Sequence, residues 1–131
     1  MRLVKRGPHM KRCMFVDASS VIRKVAKRIL GGPDLIVVEA ESGASALDMC
    51  AAEMPDVIVV DGTLPDMQTA AFIRSVRSIE TPVVPQILIS LVEMDVGAIM
   101  RAKRAGAQGY MLKPFNRAQL LERFRSLDVA A

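Results

Sequence analysis

The chain has 131 residues, 51% of them apolar, and a formal net charge of +4. That length suits one domain with a core of its own, and no apolar run reaches the roughly 18 residues that a helix needs to span a bilayer. The charge is a weak guide: residues 1–9 carry Arg2, Lys5 and Arg6 and no acid, so without them fifteen basic residues face fourteen acidic ones, a net of +1 that gives no argument for nucleic-acid binding.

Residues 1–9 read as a cleavage-site and cloning remnant, with Met10 as the native start and a domain over residues 10–131. No charged start leads into an apolar signal core, so a cytoplasmic protein is expected. Cys13 falls in a strand pattern and Cys50 in a helix pattern, without Cys-x-x-Cys or Cys/His spacing, which predicts buried, reduced thiols rather than a disulfide or a metal site.

Strand-like and helix-like periods alternate along the chain. Residues 12–16 form a first strand; Ser19-Ser20 then caps a helix with Ile22, Val25, Ile29 and Leu30 on one side, which Gly31-Gly32-Pro33 ends. Residues 35–38 make a second strand, followed after Ser42-Gly43 by a helix with Leu47, Cys50, Ala51 and Met54 inward, stopped by Pro55. Val57 to Val60 is continuous rather than alternating, as in a central parallel strand covered on both faces, and its helix carries Phe72, Ile73, Val76 and Ile79. Residues 86–90 give a fourth strand and 94–105 a helix with Val96, Ile99 and Met100. After Gly106-Ala107-Gln108-Gly109 come a fifth strand, 110–112, and a helix from about Asn116 to Leu127 presenting Leu120, Leu121, Phe124 and Leu127. Five such units with right-handed crossovers predict an α/β, doubly wound parallel sheet with helices on both faces, and leave no room for a second domain.

Four of the strands deliver a polar residue at the carboxyl end: Asp17, Asp61, Ser90 and Lys113. Open α/β sheets bind ligands along that edge. Taken singly, Asp61 reads as a turn or cap residue, Lys113 as a solvated lysine before Pro114, Ser90 as a cap of the fourth helix and Tyr110 as a half-buried strand aromatic.

Taken together and in order, the segments 16–19 with Arg23, 55–61 with Leu64-Pro65, 87–90 and 106–115 resemble the receiver domain of two-component response regulators, of the single-domain, CheY-like kind. The resemblance implies a flavodoxin-like (βα)5 three-layer sandwich with a five-stranded parallel sheet. It also implies a signalling protein rather than an enzyme: Asp61 accepts a phosphoryl group from a histidine kinase or phosphotransfer protein, and Lys113 and Ser90 bind that group. Mg²⁺ is the implied cofactor, held by Asp17 (through water), Asp61 and the main-chain carbonyl of Thr63. Ser90 and Tyr110 are the implied switch pair, acting on a downstream protein target through the fourth helix, fifth strand and fifth helix, with no DNA-binding domain and no membrane partner.

Three departures bear on this. The family has two adjacent acids after the first strand, and here the second position is Ala18, so the metal site is expected to be weakened. Leu91 stands where a small residue is usual, and Asp66-Met67-Gln68-Thr69-Ala70 is an atypical loop after Leu64-Pro65. An alternative is therefore a pseudo-receiver, a protein- or nucleotide-binding module independent of phosphorylation. An enzyme reading, from the weak similarity of Asp61-Gly62-Thr63 to haloacid-dehalogenase-type phosphatases, lacks the second aspartate expected at Thr63. The cations Arg23, Lys24, Lys27 and Arg28 suggest either a solvated helix face or a surface that steers an acidic partner; Arg101, Lys103, Arg104, Arg117, Arg123 and Arg125 are candidates for an anion.

Overall fold

The computed structural model describes residues 11–126. The expected remnant at 1–9, the start at Met10 and Leu127 lie outside them. Ten elements alternate: β1 (Lys11–Val16), α1 (Ser20–Leu30), β2 (Leu35–Ala40), α2 (Gly43–Ala52), β3 (Val57–Asp61), α3 (Thr69–Arg77), β4 (Gln86–Leu91), α4 (Val96–Ala105), β5 (Gly109–Leu112) and α5 (Arg117–Ser126). The strands form one parallel sheet in the order β2-β1-β3-β4-β5. The chain winds outward from β1 to β2, then crosses back to β3 on the other side, so the carboxyl ends of β1 and β3 border the crevice where the winding reverses.

Alternate side chains of each strand feed two cores. Met14, Val16, Ile58, Val60, Ile87 and Ile89 pack under α2, α3 and α4, while Cys13, Phe15, Val57, Val59 and Leu88 pack under α1 and α5. This explains the unbroken apolar runs, since both faces of the sheet are covered. Both cysteines are free and buried. Helix starts follow local chemistry: Ser19, Ser42 and Asp95 each accept a hydrogen bond from a main-chain N–H three residues on, at 3.3, 3.1 and 3.0 Å. Gly106, at φ +125°, ends α4 in backbone that side-chain-bearing residues rarely adopt.

Some expected inward residues face out. Val96 is 66% and Met100 47% exposed, because α4 meets the core through Ile99, Ala102 and Ala105, and the two alanines let it lie close. On α1, Ala26 and Leu30 are buried while Val25 is at the surface. Met54 and Ile79 pack on the core from just beyond α2 and α3 rather than within them, and α4 begins at Val96 rather than residue 94. On α5, Leu120 and Phe124 are buried and Leu121 is partly so.

Candidate functional site

The candidate residues stand at or just past the carboxyl ends of buried apolar strands. Asp17 follows β1 and is tied to β2 by its N–H on the Ala40 carbonyl, at 3.0 Å. Asp61 ends β3, with Ser90 of β4 as its register partner. Lys113 follows β5; its N–H donates to the Leu91 carbonyl at 2.8 Å, and its peptide bond to Pro114 is cis. The sheet therefore gathers onto one edge groups that are 23 to 96 positions apart in the chain.

The geometry centres on Lys113. Its Nζ donates to Asp17 Oδ2 at 2.7 Å and lies 3.2 Å from Asp61 Oδ1. The Lys113 side chain is 9% exposed, that of Asp17 5% and that of Asp61 18%. One cation thus bridges two carboxylates, leaving the cluster one negative charge in excess. Because these groups are largely removed from water, each depends on the others to offset its lost hydration. Asp17 Oδ1 also accepts from the Ser19 N–H at 2.8 Å, and Asp61 Oδ1 from the Thr63 N–H at 3.1 Å. The Thr69 hydroxyl donates to the Asp61 carbonyl at 2.8 Å, fixing the start of α3 over the end of β3. Asp61 Oδ2 accepts no hydrogen bond among the described residues, and Asp61 lines a cavity of about 620 Å³ with Thr63, Leu91, Met94 and Lys113.

The donor set suits a hard cation: two carboxylates and the Thr63 carbonyl, all oxygen. It is sparse, however. Both Asp17 oxygens are engaged by Ser19 and Lys113, and Ala18 is exposed and offers no ligand. Among the described residues no three His, Cys, Asp or Glu side chains group closely enough to hold an ion by themselves. Asp61 is the one carboxylate left that could bind an ion directly, so main-chain oxygen and water would have to complete an octahedral shell.

Ser90 is buried beside Asp61, and Leu91 packs across Gly62 so closely that a Cβ there would lie 2.4 Å from Leu91 Cδ2. Ser90 does not cap α4; Asp95 does. Tyr110 is not in the ionic cluster. Half-buried on β5 opposite Ile89, it packs against the core on the α4 side, and its carbonyl accepts from Arg123 Nη2 at 2.6 Å.

Two contacts were not anticipated from sequence. The Asp66 carboxylate caps α2 by accepting from the Gly43 and Ala44 N–H groups, both at 2.9 Å, and those bonds hold its carboxyl below the ordinary range. Glu39 on β2 gathers Lys24 at 2.9 Å, Arg23 at 3.0 Å and Lys27 at 4.0 Å. Its carboxyl is likewise lowered, first by the Lys24 hydrogen bond. Three of the four α1 cations thus share one carboxylate, which reduces the net charge available for steering a partner. Arg23 also donates Nη1–H to the Asp17 carbonyl at 2.6 Å. An acid at the end of an otherwise apolar strand was the available signal for Glu39.

Comparison with known proteins places these features in context. The family model for the response regulator receiver domain matches residues 13–125. The DNA-binding transcriptional regulator NtrC of Escherichia coli is 34% identical over 101 residues, 77% of this chain and 21% of that protein. The probable transcriptional regulatory protein NarL of Mycobacterium tuberculosis is 30% identical over 117 residues, 88% of this chain and 53% of that protein. This chain therefore spans about a fifth to a half of these relatives' length. Among solved structures, the chemotaxis response regulator CheY4 of Vibrio cholerae superposes with a TM-score of 0.83 at 29% identity, covering 90% of this chain and 98% of that one. The receiver domain of the M. tuberculosis NarL protein gives 0.80 at 28%, covering 92% and 97%.

Proposed function

This chain belongs to the response regulator receiver family of two-component signalling, and from that premise we propose that Asp61 accepts a phosphoryl group from a phosphohistidine on a kinase or phosphotransfer protein. The observation that carries the reading is the arrangement around Lys113: its ammonium bridges Asp17 and Asp61 while Asp61 Oδ2 stays unbonded at a cavity.

In the step proposed, Asp61 Oδ2 attacks phosphorus and forms an acyl phosphate. The N–P bond to the donor imidazole breaks, its electron pair returning to the ring nitrogen, which then takes a proton. Lys113 shifts from the two carboxylates toward the incoming phosphoryl oxygens, and the Ser90 hydroxyl on the neighbouring strand donates to another. Mg²⁺, held by Asp61, the Thr63 carbonyl and, through water, Asp17, would offset the repulsion between carboxylate and phosphoryl oxygens. With Ala18 supplying no ligand, that support is weak. Movement of Ser90 toward the new charge favours rotation of Tyr110 and reshapes the face made by α4, β5 and α5, where a downstream protein docks. A cytoplasmic setting fits such a partner; among the described residues no helix is long and apolar enough to cross a membrane.

A second reading has its own support. Lys113 already engages both Asp17 and Asp61 in the unmodified chain, an arrangement that a phosphorylation-independent binding module would keep. Incubation with Mg²⁺ and acetyl phosphate, followed by intact-mass analysis beside Asp61→Ala, separates the two. A gain of one phosphoryl group that the variant lacks supports the receiver reading; no gain at donor and metal excess supports the module.

A further inference from the structure

The contacts of the cluster continue beyond Asp17. Glu39, Arg23, Asp17, Lys113 and Asp61 form a connected row from β2, across α1 and the end of β1, to Asp61, in which Arg23 meets Asp17 at its main-chain carbonyl and the other links are ion pairs. Arg23 is the joint in that row. Its Nε donates to Glu39 Oε1 at 3.0 Å and its Nη1 to the Asp17 carbonyl at 2.6 Å, with only 12% of its side chain exposed.

The joint matters because of what the turn after β1 contains. Residues 17–19 connect β1 to α1, and Asp17 Oδ1 folds back on the Ser19 N–H. Ala18 is exposed and its methyl group fastens nothing. Without Arg23 the main-chain carbonyl of Asp17 would lose this bond, leaving the turn held by the Asp17 N–H on Ala40 and by the carboxylate on Ser19 and Lys113. Arg23, about one helical turn into α1, reaches back to that carbonyl, and Glu39 fixes the plane of the guanidinium so that a second N–H is aimed at it. A planar fork can serve both acceptors at once, whereas an ammonium on a flexible stem has no comparable fixed spacing. Glu39 has an electrostatic role too: it offsets a positive charge that would otherwise oppose cation binding near Asp17.

We propose that Arg23, clamped by Glu39, is a positioning residue for Asp17: it holds the turn at residues 17–19 so that the Asp17 carboxylate stays on Lys113 and beside the cation site, in a chain where Ala18 contributes no second acid. The inference builds on the site described above, yet it concerns geometry and cation affinity and does not require Asp61 to be phosphorylated.

The test compares Arg23→Lys, Arg23→Ala and, as control, Lys24→Ala, which removes a neighbouring cation from Glu39 without touching Asp17. Two quantities are read by ¹H–¹⁵N NMR well below the unfolding temperature of every variant: solvent exchange of the Ser19 amide and the dissociation constant for Mg²⁺ alone. Loss of the tether is expected to speed Ser19 exchange roughly tenfold, about the worth of one hydrogen bond. It is expected to weaken Mg²⁺ by about tenfold, as loss of a group that orients a ligand does. Arg23→Lys should behave like Arg23→Ala, and Lys24→Ala should match the parent. A merely structural arginine would lower the unfolding temperature and move neither quantity. The proposal is overturned if Arg23→Lys keeps both within twofold of the parent, or if Lys24→Ala shifts them equally, which would assign the effect to charge. If the parent binds no Mg²⁺, the Ser19 exchange decides alone. Failure of phosphorylation would leave both readouts standing, so the two proposals fail separately.

Discussion

Replacing Ala18 by Asp should convert a weak cation site into a strong one, and the structure allows the size to be worked out. Ala18 is exposed and follows Asp17 directly, so a carboxylate there would reach the crevice through a largely aqueous path. Two unit charges about 4 Å apart attract by about 1 kcal/mol in water and about 4 kcal/mol at the effective dielectric of a protein surface. A divalent ion doubles the aqueous figure to about 2 kcal/mol, near thirtyfold in affinity, as a lower bound. The metal-free protein should move the other way. Three carboxylates would then face Lys113, raising the excess from one negative charge to two, at a cost of ~1 kcal/mol or less, or roughly 3–5 °C in unfolding temperature for a domain of this size. The assay is calorimetric Mg²⁺ titration paired with thermal unfolding with and without the ion. Lower stability without Mg²⁺, higher stability with it and a dissociation constant reduced about thirtyfold or more are expected. An unchanged constant would refute the view that Ala18 limits metal binding.

The packing of Leu91 on Gly62 predicts that Gly62→Ala costs ~1–3 kcal/mol through overpacking. Adding Leu91→Ala should recover part of that loss, and denaturation of the double-mutant set checks the sign; strictly additive losses would show that the contact is not the cause. Leu91→Ala alone should open the cavity beside Asp61 and speed modification by acetyl phosphate, followed by mass. Glu39 has its carboxyl pKa lowered in the fold, so its contribution is fully present above the ordinary glutamate value of about 4.3 and fades as pH falls through the lowered value. Urea unfolding should therefore show Glu39→Gln less stable than the parent at neutral pH and the gap closing in acid; a gap independent of pH would contradict the assignment. Asp66→Ala should lower the unfolding temperature at neutral pH and speed amide exchange in the first turn of α2, because Gly43 and Ala44 lose their acceptor.

Strand order aside, most of the fold was legible because each apolar run ends at a polar residue or a turn signal, as at Val57 to Asp61 and at Gly31-Gly32-Pro33. Periodicity was a poorer guide to which helical residues face inward. On α4 the choice of Ile99 over Val96 and Met100 is made by how closely alanines let that helix approach, a property of packing that a hydrophobic count does not contain. The candidate site was legible as residue types at strand ends, and the sheet register is what joins Asp61 to Ser90. The links to Glu39 and Asp66 were not, because each pairs elements distant in sequence: Asp66 reaches an α2 start 22 and 23 residues earlier, and Arg23 reaches Glu39 16 residues later. No local pattern marks such partners.

The most direct test of the account is chemical location of the modified residue. After exposure to acetyl phosphate and Mg²⁺, borohydride reduction converts an aspartyl phosphate to homoserine, which peptide mass mapping places in the sequence. The account predicts homoserine at position 61 and at no other aspartate. Unmodified Asp61 at saturating donor and metal, or homoserine at another position, would contradict it.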